Sequence, residues 1–494
     1  MLSLTRKQKI TWFSFIFSCK LLLFVFFAFE FSKNYPTEFK YNSLFIIDGE
    51  TVSYYMPIES LAEGNGYSFK EQKVGSDEYL YFPSTRRVPG IAVLYYPLLK
   101  LMSVNAARSV IILLQFLLST VSVYLLGLIA LYLFSSYSAF VITLILYSAS
   151  SFVSIFDHYG ISESFSISFL IFGMYFTVKA VKQGSVQNYW WAGVFLCWST
   201  FIRPAFGVCF PAAALLIIYE YWKQKQLISL SFFKSMLLLG IPLLLCLSLW
   251  TYRNYKVSAK IIPLEDNVQK TQVFAYDARL VAIWDLIGAW GGQITRWSPN
   301  SMGEYFLSRK PVQSQEAFSS RMLSSECTFD SIKSLQQNYL LSYDKSLPFE
   351  QRLQLAHRVI EQSYRFRKTF MREKPFQYYV VSPLALTAKF YYFSTVSYLP
   401  FPSLQEMKWY QKAIKVFYIL FFNLMLIGTI ACVVLIIKKR FLSNLIFLAF
   451  PILYTAIMIG IYYASEQRYM APVYPFLVLY ASYFVSLLLP RFKK

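Results

Sequence analysis

Apolar residues along this chain gather in long runs, and short polar or basic segments separate one run from the next. The runs lie at about 10–31, 105–133, 138–156, 163–180, 189–203, 205–222, 233–250, 413–437, 441–463 and 471–489. Most approach the roughly twenty residues that carry a helix across a hydrocarbon core. Backbone groups in lipid must bond within their own segment, so such runs predict helices. A barrel would show short alternating strands instead. The expected fold is an all-α polytopic membrane protein of about ten transmembrane helices.

Two interruptions are longer than a turn, and they divide the chain. Residues 1–255 read as a transmembrane module of spans one to seven, with a first outer loop at 32–104. Residues 256–412 read as an outer, largely helical region with interfacial helices, and 413–494 as spans eight to ten. The run 91–102 is short and contains Pro97, which suits a helix lying along the interface. The run 378–399 is apolar enough to be another span. Counting it would move Lys438-Lys439-Arg440 outside, so it reads as interfacial or re-entrant.

Charge sets the orientation. Lysines and arginines cluster at 6–9, 223–225, 438–440 and 491–494. The positive-inside rule puts those ends in the cytoplasm and both long loops outside. The expected location is a bacterial-type cell (inner) membrane, with any active site facing out of the cytoplasm. Formal net charge is +21. In a soluble chain that would suggest nucleic acid. In a chain that is 56% hydrophobic and 19% aromatic, it fits span-flanking cations and anionic membrane lipids, with no nucleic-acid partner expected. Only Cys327 of the six cysteines lies in a long polar region, so no disulfide framework or zinc pattern follows.

With this topology the unusual polar residues sort to the outer span ends: Asp48, Glu50, Arg86, Arg87, Asp157, His158, Glu163, Arg203, Arg253, Glu466 and Arg468. Ionisable groups at membrane depth are costly and are usually partnered inside the bundle. Carboxylates and arginines from several loops therefore imply a polar cavity at the outer interface. Structural readings stand beside this one. Asp48 can cap a helix starting at Gly49, with Glu50 favoured by the helix dipole. Glu163 can be a first-turn carboxylate, and Arg203 and Arg253 can anchor headgroups. Arg468 can simply pair with Glu466. His158 reads as an interfacial histidine or a metal ligand, and Tyr54 and Tyr55 as packing residues.

In chain order these residues form a series. Asp48-Gly49-Glu50 with Tyr54-Tyr55 precedes Arg87-Val88-Pro89-Gly90. Ser162-Glu163-Ser164, Phe201-Ile202-Arg203-Pro204, Trp250-Thr251-Tyr252-Arg253-Asn254 and Glu466-Gln467-Arg468-Tyr469 follow. The series resembles the GT-C superfamily of polyprenyl-phosphate-sugar glycosyltransferases, within it the branch of protein O-mannosyltransferases and aminoarabinose transferases. The resemblance covers about 45–255 and 460–480. It implies a GT-C-like first outer loop and an inverting transfer of sugar from a polyprenyl-phosphate donor. The acceptor would be a hydroxyl on a lipid, glycan or protein.

In that chemistry Asp48 or Glu50 serves as the base, and the two-residue spacing departs from the commoner adjacent pair. Arg87, Arg203, Arg253 and Arg468 would bind the donor phosphate. Arg86, Tyr54, Tyr55, Asp157, His158, Glu163 and Glu466 would support them. A phosphate leaving group needs positive charge more than it needs a strong acid. A divalent metal ion could share that work, with Asp48 and Glu163 as its candidate ligands, although the sequence does not require one. Two alternatives remain. An O-antigen ligase or polymerase would not need the early acidic pair. A lipid-linked glycan transporter would place ionisable residues and broken helices at mid-bilayer.

Overall fold

The computed structural model describes residues 4–35, 37, 40, 44–47, 50–72, 79–265, 278–291, 322–344, 346–392, 398–439, 442–462 and 467–489. These residues are mostly helical and divide into two compact units. The first comprises Met1–Asp266, Ser394–Tyr454 and Ala471–Lys494, and the second Asn267–Phe393 and Thr455–Met470. The C-terminal spans that read as a separate segment in sequence thus pack largely within the first unit.

The first unit opens with α1 (Arg6–Asn34), started by a capping box in which Thr5 and Gln8 satisfy each other's amides. The helices α4 (Val104–Phe134), α7 (Glu163–Gln183), α10 (Leu230–Ser258) and the 409–438 helix are likewise long and apolar, as is the 204–223 stretch. On α1 and α10, side chains such as Leu22, Val25, Leu244 and Leu249 face outward, the arrangement of helices solvated by lipid. This is a multi-pass membrane protein. Among the described residues six helices are long and apolar enough to span, and a seventh span arises if α5 (Tyr137–Ser148) and the following 151–158 segment, bent by 48°, count as one. The expected count of ten is therefore not reproduced by helix length. The remaining expected spans are shorter helices: α8 (Val186–Ile202), Asn444–Gly460 and Tyr474–Leu488. Proline accounts for two of the breaks. Pro204 ends α8 and starts a 3-10 turn, and Pro475 lies in the first turn of the 474–488 helix.

The loop that follows α1 departs from an all-α fold. After α2 (Thr51–Ala62) it forms a hairpin of β1 (Ser68–Gln72) and β2 (Tyr79–Pro83), paired from Ser68↔Pro83 to Gln72↔Tyr79. It closes with α3 (Ala92–Leu101), the short Pro97-containing helix expected at the interface. β1 is polar except for Phe69, and β2 carries Tyr79, Leu80, Tyr81 and Phe82 in succession, so neither strand shows the period-two alternation that would mark it in the sequence.

The second unit is a small helical cluster. The helices Ala278–Ala289, Phe329–Leu341 and Phe349–Glu373 bury Ile283, Leu286, Ile332, Leu335, Val359 and Phe366. Arg279 is buried there, donating to the Ser342 carbonyl at 3.0 Å and lying over the Tyr343 ring at 3.9 Å. The run expected to be interfacial or re-entrant is helical over 377–392, with a π-helical first turn.

Candidate functional site

The site is built where the loop between α1 and α4 meets the start of α7 and the end of α8. Ile202 is the last residue of α8, because Pro204 disfavours a helical conformation at Arg203. Arg203 is extended, with φ −143°, and its guanidinium turns toward the first residue of α7. There Arg203 Nη1 meets Glu163 Oε1 at 2.5 Å, with both side chains almost wholly buried. Arg203 Nη1 also donates to Ser162 Oγ at 3.2 Å, and Ser162 Oγ donates to the Tyr54 hydroxyl at 3.1 Å.

Tyr54 joins this pair to a second group of charges. Its ring carries the Arg87 guanidinium at 4.3 Å. Arg87 reaches Glu50 at 3.4 Å and Glu265 at 3.8 Å, and its Nε donates to Ser53 Oγ at 3.0 Å. Burial raises the Tyr54 hydroxyl above its ordinary pKa; Arg87 and Arg203 oppose that shift, while Glu50 and Glu163 reinforce it. The phenol therefore stays protonated between two ion pairs. Tyr55, one residue on, packs edge-on to Phe45 and Tyr95 and is buried.

Loop anchoring explains the remaining motif residues. Arg253 donates to the Ser84 carbonyl and, at 2.9 Å, to the Tyr67 carbonyl, so its guanidinium ties the hairpin to α10. Trp250 Nε1 donates to the Leu264 carbonyl at 2.7 Å and Asn254 to the Ile262 carbonyl at 2.9 Å. Those two bonds hold the irregular segment that delivers Glu265. The Arg86–Gly90 turn is pinned on α8: Gly90 N donates to the Phe201 carbonyl at 2.7 Å, and Trp198 Nε1 donates to the Gly90 carbonyl at 3.0 Å. A Cβ on Gly90 would stand 2.3 Å from the Phe201 oxygen, so this turn requires glycine. Arg86 lies half-buried beside Arg87 on that turn.

The structure thus brings Glu50, Tyr54, Arg87, Glu163 and Arg203 together in one region. Asp157 and His158 belong elsewhere. Asp157 is buried against Lys20 of α1 at 2.8 Å, and the His158 ring stacks on Phe24 at 4.2 Å. Arg468 lies in the second unit, buried on a 3-10 turn, with its Nη2 donating to the Tyr469 hydroxyl at 3.0 Å. Asp48 and Glu466 lie outside the described residues. Glu50 occupies the N-cap position of α2 without a side-chain capping bond, so the helix starts at Thr51, later than the expected Gly49.

Among the described residues no group of three histidine, cysteine or carboxylate side chains is placed to hold a metal ion. Glu163, one of the two candidate ligands, faces Arg203 at contact distance. Glu163 therefore serves a guanidinium in this structure, and Asp48, the other candidate ligand, lies outside the described residues.

No family model and no curated protein matches this chain. The reading of the site rests on its motifs and geometry.

Sequence reasoning passed over three charged groups. Lys20 is a lone cation inside the first apolar run, a signal visible in the sequence. Arg108 pairs with Glu59 at 2.6 Å, and the Tyr95 hydroxyl donates to the same carboxylate at 2.9 Å. Arg108 near the start of span two carried a similar signal. Glu265 sits in a polar stretch with nothing to mark it.

Proposed function

We propose that this protein is a membrane glycosyltransferase that moves a sugar from a polyprenyl-phosphate carrier to an acceptor hydroxyl on the extracytoplasmic face. The observation that carries the reading is Arg87, stacked on Tyr54 with Glu50 at 3.4 Å and Glu265 at 3.8 Å. A guanidinium fork suits a phosphate, and a carboxylate beside it suits an incoming hydroxyl. In the proposed step the acceptor oxygen bonds to the anomeric carbon as the carbon–oxygen bond to phosphate breaks. The phosphate leaves with the electron pair, steadied by Arg87, and the acceptor proton passes to Glu50 or Asp48. Attack opposite the leaving phosphate inverts the anomeric centre. The acceptor class stays open among lipid, glycan and protein.

The test is single-turnover transfer from a synthetic polyprenyl-phosphate sugar by the purified chain in lipid nanodiscs. Glu50→Gln and Asp48→Asn are compared, and the residue acting as base loses about a hundredfold or more in rate. Near-normal rates in both variants would remove this loop from the chemistry.

One observation favours a second reading, a transporter of lipid-linked glycans. The 137–158 span is broken, and a buried ion pair, Lys20–Asp157, stands beside the break. Broken helices with internal charges are what such transporters use. Movement of a fluorescent polyprenyl-phosphate lipid across proteoliposomes, without any transfer product, would favour that class.

A further inference from the structure

Lys20 stands midway along α1, where a charge faces lipid unless the bundle covers it. It is covered. Its ammonium donates to Asp157 Oδ2 at 2.8 Å and to Ser154 Oγ at 2.9 Å, and both charged side chains are about 1% exposed. Ser164 Oγ donates to the other Asp157 oxygen at 2.6 Å.

The residues that follow Asp157 do a different job. The His158 carbonyl accepts from Ile46 N at 2.9 Å, and Gly160 N donates to the Ile46 carbonyl at 3.0 Å. Ile46 and Tyr159 thus form a short parallel bridge. Phe45 lies so close to Gly160 that a Cβ there would stand 2.2 Å from its ring. Gln115 Nε2 supports the same turn from α4, donating to the Phe156 and Tyr159 carbonyls at 3.1 and 3.2 Å.

We infer that Lys20 and Asp157 are positioning residues, which brace the 154–160 turn so that it carries the 45–46 strand leading to Glu50. The meaning of that placement for catalysis rests on the proposed role of the Glu50 region. The placement itself does not. Among the described residues two backbone hydrogen bonds join Ile46 to the turn, and Ile46 also pairs antiparallel with Lys40, so the turn sets one side of this strand position. The turn in turn is tied to the long apolar helices by the Lys20 ammonium of α1 and by the Gln115 amide of α4. A charge in the middle of α1 therefore reaches the outer loop through Asp157, the 3-10 turn and Ile46, with every link at hydrogen-bond or covalent distance.

The experiment is amide hydrogen exchange on the full chain in lipid nanodiscs, with no substrate present. Lys20→Met should speed exchange at Ile46 and Gly160 by about tenfold or more, leaving the 409–438 and 474–488 helices at wild-type protection. Lys20→Arg, which keeps the cation, should restore most of the protection. Ser164→Ala, which removes one bond to Asp157 and no charge, should give a smaller change of the same kind and serves if Lys20→Met does not insert. Unchanged exchange at Ile46 and Gly160 in the variants would overturn the inference. So would loosening spread equally over the 409–438 and 474–488 helices, or a failure of Lys20→Arg to recover. Because exchange is read without substrate, loss of the transferase reading would leave this result standing, and the reverse also holds.

Discussion

Two groups of charges in the first unit are built on opposite plans. At Lys20 and Asp157 one cation meets one anion at 2.8 Å, both groups are sealed from solvent, and serines complete the hydrogen bonding. At Arg87 one cation faces two carboxylates at 3.4 and 3.8 Å, and the Glu50 side chain is 29% exposed. A buried charge is tolerated when its partner is close and its remaining donors and acceptors are filled. The first group meets that condition and is suited to holding a shape. The second leaves a cation at longer range from its anions and nearer to solvent, the arrangement on which the proposed phosphate site rests. Glu163–Arg203 stands between the two plans. It is as short and buried as the first, yet Ser162 and Tyr54 connect it to the second.

This contrast is open to test, beginning with the largest effect. Arg203→Ala leaves the Glu163 carboxylate buried without its cation. Breaking a buried pair in this way costs about 3–5 kcal/mol. Chemical or thermal unfolding in nanodiscs should show a loss of that size, and Glu163→Gln in the same background should recover part of it. A loss below about 1 kcal/mol would move this pair to the exchangeable plan.

Arg87 should behave differently. Arg87→Ala is expected to weaken binding of a polyprenyl-phosphate donor by about tenfold or more while lowering stability less than Arg203→Ala does, with Lys a poor substitute because it lacks the fork. Native mass spectrometry of bound polyprenyl phosphate measures the first effect, and the unfolding assay the second. Unchanged donor binding would leave Arg87 as a loop brace like Arg253.

A third test uses pH. Burial raises the hydroxyls of Tyr54, Tyr55 and Tyr67 in the outer loop above the ordinary tyrosine pKa of 10.0. A group whose folded pKa is raised contributes stability that is whole below its unfolded pKa and is lost as pH rises toward the folded value. The first unit should therefore hold steady to about pH 10 and weaken above it. Tyr67→Phe should blunt that alkaline loss by removing one ionising group. A difference in tyrosinate absorbance between the wild-type chain and Tyr54→Phe that rises with an ordinary midpoint would contradict the sealed arrangement around Tyr54.

The smallest effect marks the far end of the comparison. Lys70 and Glu63 pair at 3.2 Å beside the hairpin, with Glu63 exposed and Lys70 partly exposed. Lys70→Ala should change stability by about 0.5 kcal/mol or less in the same unfolding assay, because water and salt screen such a pair. A larger loss would mean that surface charge as well as buried charge shapes this loop.

The sequence by itself determined the class and the cast. Helices in lipid need long uninterrupted apolar runs, so the runs at 10–31, 105–133 and 413–437 announce α1, α4 and the 409–438 helix directly. Motif residues at the run ends announce that charge collects there, and Glu50, Tyr54, Arg87, Glu163 and Arg203 do gather in one region. The tertiary structure decided who faces whom. Ser162, Glu163 and Ser164 are neighbours in the chain, yet they point to Tyr54, Arg203 and Asp157, because successive positions on a helix start face about 100° apart. Arg253 and Arg87 look alike in sequence. One spends its donors on the carbonyls of Tyr67 and Ser84, and the other lies between carboxylates. That difference depends on which loop crosses in front of each guanidinium. Lys20 shows the limit from the other side. Its position inside an apolar run marked it as unusual, but its partner lies 137 residues away, and only the packing of α1 against the 154–160 turn brings the two charges together.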